Sequence, residues 1–209
     1  RIALAGNWHL SAYCHRVMAS DPNKDVMIAL AQNTHIKKDI ENAGFGILAF
    51  FEDEDVRAAA ASNPKTPQDV LECHCIRDES EKVKIGAALN PSLGKKLHRQ
   101  MQAKLHLEMN VRHERNIVVA LAANRAADAD FLTELAKSKN RAYRAAAAAN
   151  SNTPEEFQLA LYNDDSEKVR NAFVGLHCCG KRFFDLAIFL HLPPYQKMPR
   201  CIKYRLHNL

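Results

Sequence analysis

Val56-Arg57-Ala58-Ala59-Ala60-Ala61-Ser62-Asn63 and Tyr143-Arg144-Ala145-Ala146-Ala147-Ala148-Ala149-Asn150 are two versions of one eight-residue frame. Each is followed three residues later by Thr-Pro, at Thr66-Pro67 and Thr153-Pro154. The frame recurs at Val26 to Asn33, Val83 to Asn90, Ile117 to Asn124 and Val169 to Leu176. Its closing asparagines, Asn33, Asn63, Asn90, Asn124 and Asn150, stand 30, 27, 34 and 26 residues apart, with Leu176 another 26 on. Asn7, preceded by Ile2-Ala3-Leu4-Ala5-Gly6, carries the frame back to the start, where Arg1 takes its second position. The chain is therefore expected to be a fragment that begins inside a repeat. Self-similarity at a period of this size is the signature of a repeat architecture.

The residues within the frame say how it packs. Position four is Ala3, Ala29, Ala59, Gly86, Ala120, Ala146 and Ala172, and position six is alanine up to Ala148, then Val174. Residues this small let neighbouring helices approach closely. Positions one, three and five are mostly Val, Ile, Leu or Ala, and a helix apolar nearly all round is a buried one. Eight residues alone in water would not hold a helix. The asparagine follows the alanine run and precedes proline or another turn residue. Local C-terminal capping in left-handed geometry, its amide on orphan carbonyls, is favoured over a ladder of stacked amides.

The second half of each unit is expected to be a longer helix of roughly ten to twelve residues. Thr66 and Thr153 fall at its N-cap and Pro67 and Pro154 at its first position, with Glu156 at capping-box spacing. An apolar residue follows at a fixed offset: Cys14, Ile40, Val70, Leu97, Phe131, Phe157 and Phe183. No strand signal competes. The expected fold is all-α, an α-solenoid of about seven helix–turn–helix units forming one domain over residues 1–209. The frames lie near 1–25, 26–55, 56–82, 83–116, 117–142, 143–168 and 169–209. Gln100 to Arg115 make one unit about eight residues longer, as either a lengthened second helix or a protruding loop. Phe183 to Leu190 read as an apolar helix covering the end of the stack, followed by Pro193-Pro194 and a basic tail through Lys197, Arg200, Lys203 and Arg205.

Composition narrows the function classes. The 209 residues are 47% apolar and 25% charged, the balance of an ordinary soluble protein. The longest apolar stretch, Phe183 to Leu192, contains Asp185 and His191 and is too short to span a bilayer. No charged leader followed by an apolar run opens the sequence. Six cysteines without regular spacing point to free thiols in a reducing cytoplasm. A net charge of +5 permits nucleic acid as a partner without arguing for one.

The stretches 56–67 and 143–154 resemble the leucine-rich repeat variant family, whose pattern runs acid-x-x-Val-Arg-x-Ala-Val-Ala-x-Asn-Pro-x-Thr-Pro. The match is strong over 52–92 and 140–176 and weak over 1–51 and 93–139. The resemblance implies a HEAT-like right-handed superhelix of alternating α- and 3₁₀-helices. A founding member of that family carries an iron–sulfur cluster in a cysteine-rich segment ahead of its repeats, a segment that would lie before Arg1 here.

Position two supplies the candidate site. Arg57, Lys84, Arg144 and Arg170 would stack into a basic stripe able to meet phosphates or an acidic partner, interrupted by Met27 and Val118. Pairing with the acids ahead of each helix, among them Asp53, Asp55, Asp78, Glu81 and Asp164, is the stronger reading. Asn7, Asn33, Asn63, Asn90, Asn124 and Asn150 are assigned structural roles. Cys73-His74-Cys75 is a poor metal site, because residues two apart on a helix point about 200° apart. Adjacent Cys178 and Cys179 close a site no better, although His177 lies beside them. The ten histidines show no zinc spacing, with His98 and His106 two turns apart as the only suggestive pair. No catalytic residue, metal site or cofactor is assigned, and one tryptophan, Trp8, leaves little surface to hold an extruded base. The expected function is a noncatalytic scaffold for a protein or peptide partner. The alternative is nucleic-acid binding through the stripe and tail, and a weaker one is the repeat portion of an iron–sulfur protein.

Overall fold

A computed structural model describes residues 1–35, 41–106 and 115–177 of the chain. The expected terminal helix over 183–190, the basic tail and Cys178, Cys179 and Cys201 lie outside the described residues. Every described element is helical, so the protein is all-α among them. The chain divides by packing into two units, Arg1–Ala126 and Ala127–Leu209.

In the first unit the helices built from the frame are α1 (Ile2–Ala5), α3 (Lys24–Ala31), α5 (Glu54–Ser62), α7 (Glu81–Leu89) and α9 (Arg115–Ala123). Each packs on the next in that order. Between them run α2 (Ala12–Met18), α4 (Glu41–Ala49), α6 (Gln68–Cys73) and α8 (Lys95–His106). The second unit holds α10 (Ala129–Ala136), α11 (Arg141–Ala148), α12 (Glu155–Tyr162) and α13 (Glu167–His177), with α11 against α13 and both touching α12.

The frame explains this order. Val26, Val56, Val83, Ile117 and Val169 at position one are buried, as are Leu30, Ala60, Ala87, Leu121 and Phe173 at position five. Short polar residues start the helices: the side chains of Asn23, Asp53 and Asn140 each accept the backbone N–H two residues on, and Ser11 and Asp128 the N–H three on.

Three expectations change. Thr66 and Thr153 are not N-caps; the caps are Pro67 and Pro154, with no side-chain bond. Both threonines are instead buried and turn their hydroxyls back onto Ala60 O and Ala147 O, satisfying carbonyls at the end of the preceding helix. The second helices are shorter than anticipated, 7, 6, 8 and 8 residues in α2, α6, α10 and α12. Among the described residues the 3₁₀ geometry implied by the resemblance occurs only at Cys75–Arg77, after α6; the other second helices are α. The long unit does lengthen its second helix, to 12 residues in α8, before the chain passes into 107–114, outside the described residues.

Small residues at position four are not all required by packing. A Cβ on Gly86 would come within 2.8 Å of Ala58 O and 2.7 Å of Ser62 Oγ, so α5 and α7 touch through backbone there. Ala59, by contrast, is only half-buried. Alanine is about 1 kcal/mol the better helix former, yet Gly86→Ala is expected to destabilise the chain by roughly 1–3 kcal/mol, because the contact is backbone. Ala59→Leu should cost little. Urea melts followed by far-ultraviolet circular dichroism check the pair, and a Gly86→Ala protein as stable as its parent would show that the α5–α7 approach is looser than described.

Candidate functional site

The asparagines form cross-repeat rungs rather than left-handed local caps. Asn63 and Asn90 sit in extended geometry, φ −74° and ψ 129° and φ −62° and ψ 120°. Their Oδ1 atoms accept the N–H two residues on, from Lys65 and Ser92, each at 2.8 Å. This turn aims Nδ2 at the preceding repeat. Asn33 Nδ2 donates to Ala5 O and Asn7 O at 2.9 and 3.0 Å. Asn63 reaches Ala31 O and Asn33 O, and Asn90 reaches Ala61 O and Asn63 O, both at 2.7 Å. Asn124 reaches Ala88 O and Asn90 O at 2.7 and 2.8 Å. Each amide thus satisfies two carbonyls, at positions six and eight of the frame before it. The rung asparagines are buried, where an unpaired carbonyl would cost about 1–3 kcal/mol.

Position two is a latch. Arg57 Nε and Nη2 grip Asp78 at 2.7 and 3.2 Å, while Nη1 donates to Phe51 O and Glu52 O at 2.8 and 2.7 Å. Arg144 repeats the pattern, with Asp164 at 2.6 and 3.0 Å and with Ser138 O and Lys139 O at 3.0 and 3.1 Å. Arg170 clamps Asp164 O and Asp165 O, and Arg1 Nε lies 3.0 Å from Asp21. The acid comes from the linker that follows the arginine's own repeat, and the carbonyls come from the linker before it. Met27 and Val118 are fully buried at the same position, so its environment is interior rather than surface. The side chains of Arg57 and Arg144 are 19% and 21% exposed. The structure brings Arg144 and Arg170 together at the Asp164 linker. Lys84 is half-buried on α7, in the first unit.

The surface that the frame leaves open is a groove of about 500 Å³ across α3, α5 and α7. Ile28, Ala58, Ala59, Ile85 and Leu89 line it, with Asn63 and Pro64 at one end and the Asp55–Lys82 ion pair at the other. Lys24 bridges Asp53 and Asp55 at 3.2 and 3.8 Å along the same edge. These pairs are substantially exposed and contribute little stability. They rim an apolar floor. Sequence reasoning read Asn63, Ala59 and Gly86 as structural and Asp55 as a pairing acid, and did not see this groove as a surface. The available signal was that positions three and seven hold Ile28, Ile85 and Leu89 on helices whose other faces are already occupied.

Cys75 is buried, and burial, then the charge of Asp78, pushes its thiol up to about 12, whereas Cys73 is exposed. His74 lies against Phe50 with ring centroids 4.0 Å apart and the planes tilted by 53°. His98 is buried with Nε2 2.9 Å from Leu121 O. His15 occupies the α2 site where α6 and α10 have Leu71 and Leu132, fully buried and with neither ring nitrogen bonded, and burial lowers its pKa. Among the described residues no three His, Cys, Asp or Glu side chains are arranged to hold a metal ion, and no helix is long and apolar enough to cross a membrane. Comparison with models of known protein families and with curated proteins finds no match to this chain.

Two outcomes follow from this chemistry. The Arg144 hydrogen bond holds the Asp164 carboxyl below the usual carboxylate range, helped by the Ser166 N–H and by the charges of Arg144 and Arg170 against the opposing effect of burial. A carboxylate depressed in the folded state lends stability above its unfolded pKa and loses it as pH falls through the folded value. Asp164→Asn should therefore cost roughly 1–3 kcal/mol at neutral pH and flatten the acid limb of a stability–pH profile; an unchanged acid limb would refute the latch. Separately, iodoacetamide should modify Cys73 in the native protein and Cys75 only after unfolding, read site by site by mass spectrometry. Equal native rates would contradict the burial of Cys75.

Proposed function

We propose that this chain is a noncatalytic scaffold, an α-solenoid of about seven units that resembles the leucine-rich repeat variant family and binds a protein or peptide partner. The observation that carries this reading is the groove over α3, α5 and α7. Its neighbours in the frame are committed to rungs and latches, while its own floor of Ile28, Ala58, Ile85 and Leu89 is apolar and open. Small residues at Ala58 and Ala59 leave room for the side chains of a partner. The position-two arginines make a poor nucleic-acid surface, since Arg57 and Arg144 spend their donors on Asp78, Asp164 and linker carbonyls. Free thiols at Cys14, Cys73 and Cys75 support a cytoplasmic setting.

Panning a displayed peptide library against the chain tests the proposal. Selected peptides should lose about tenfold or more in affinity, near 1.4 kcal/mol, on Ile85→Glu or Leu89→Glu, and keep it on Lys84→Ala. Affinity that survives both groove substitutions would sink the reading. So would binding of a DNA duplex alone, falling steeply with salt.

A further inference from the structure

His15 on α2 is fully buried with no hydrogen bond at either ring nitrogen. Its place, one residue past the fixed apolar position of the second helices, belongs to Leu71 in α6 and Leu132 in α10, both fully buried. In α8 the same place holds His98, also buried, but there Nε2 lies 2.9 Å from Leu121 O on the following frame helix. The His15 imidazole thus stands in an apolar position without the carbonyl contact of its counterpart.

Helix α4 is shaped to receive this ring. Gly44 leaves a socket opposite it: a Cβ there would overlap His15 Cε1 and Nδ1 and come within 3.3 Å of Nε2. Phe45 is fully buried beside it, with ring centroids 6.2 Å apart and planes tilted by 53°. The 7-residue helix α2 packs on α3 and α4, and its buried residues are His15 and Met18. A helix this short does not persist without such contacts, so the seat of His15 decides much of its attachment.

The surroundings offer a proton no partner. On α2 itself Tyr13 and Arg16 are exposed and Cys14 is half-buried, while Asp21, just past the helix, is paired with Arg1. Helix α1 has no titratable side chain, and His9 after it is exposed. On α3, Lys24 and Asp25 are exposed, with Lys24 drawn to Asp53 and Asp55. Helix α4 has one titratable residue, Glu41, whose side chain lies outside the described residues. Burial lowers the His15 pKa. A protonated ring would carry an extra N–H and a charge into a site with no acceptor for either.

We infer that His15 is a pH-sensitive fastener: neutral, it fills the Gly44 socket and holds α2 to α4; protonated, it leaves the socket and frees α2 from α4. The neutral ring is the form that the folded state favours. The contact is therefore complete above about pH 6.5, the value for an unburied histidine, and weakens as pH falls below it. That window overlaps physiological changes in pH. The inference uses α2 and α4 rather than the groove floor, so it stands or falls apart from the peptide-binding measurement above.

Hydrogen–deuterium exchange of the whole chain at about pH 7.5 and about pH 5.5, corrected for the intrinsic pH dependence of amide exchange, tests it. Exchange in α2 and α4 should speed up about tenfold over this interval, while α7 serves as the reference and should hold. His15→Leu, matching Leu71 and Leu132, should abolish the response, and His15→Met covers the case in which a branched side chain does not pack. Gly44→Ala, which fills the socket, should give at the higher pH the fast exchange that the parent shows at the lower one. Glu41→Gln should leave the response in place. An absent response in the parent, a response that persists in the His15 variants, or Gly44→Ala exchanging as slowly as the parent overturns the inference. A response lost in Glu41→Gln and kept in His15→Leu also overturns it, because the titrating group would then be Glu41.

Discussion

One asparagine amide laid across two carbonyls of the preceding repeat is the constraint on which the first unit depends. The end of an α-helix leaves carbonyls without intrahelical partners, and when buried they must find donors elsewhere. Asn63 answers that need for Ala31 and Asn33, and Asn90 for Ala61 and Asn63. The bond reaches only if successive frame helices lie side by side in fixed register. That closeness in turn demands small residues, most sharply at Gly86, where even a methyl group would meet the Ala58 carbonyl. The alanine runs are therefore a consequence of the rungs as much as of helix propensity.

The arginine at position two works differently. It joins linkers rather than helix ends, drawing the carbonyls before its own helix toward the acid that starts the next repeat's frame helix. Ion pairs in such half-buried places do not by themselves guarantee stability over an apolar replacement. Met27 and Val118 show the alternative within the same molecule, fully buried at the same position. The latch is optional while the rung recurs, and Arg57 and Arg144, read in the sequence as part of a basic stripe or as partners of nearby acids, are held in half-buried ion pairs with Asp78 and Asp164.

What is left outside these two devices is where recognition can vary. Positions three and seven vary from frame to frame, and Ile28, Ala58, Ile85 and Leu89 among them floor the groove across α3, α5 and α7. A repeat scaffold can alter such positions without disturbing its rungs, because neither the amide nor its acceptors come from them.

The sequence by itself determined the frame, its helical character and the burial of positions one and six, since burial leaves a local record in the spacing of Val56, Ala60 and Ala61; position three, also expected inside, is half-buried at Ile28 and Ile85. It also showed which unit is long, and α8 accounts for part of the excess. It favoured pairing of Arg57 with an acid ahead of a helix without singling out Asp78, and it did not determine where Asn63 would point. Asp78 lies 21 residues from Arg57, and Ala31 and Asn33 lie 32 and 30 from Asn63; an asparagine after an alanine run is equally suited to a local cap. Thr66 was misplaced for the same reason, its hydroxyl being free to cap forward or to turn back to Ala60. The groove was hidden too, because exposure at Ile85 and Leu89 depends on neighbouring helices that periodicity cannot position. Local pattern records which residues leave water, but the direction of a hydrogen bond and the shape of an open surface are decided only when distant repeats come into contact.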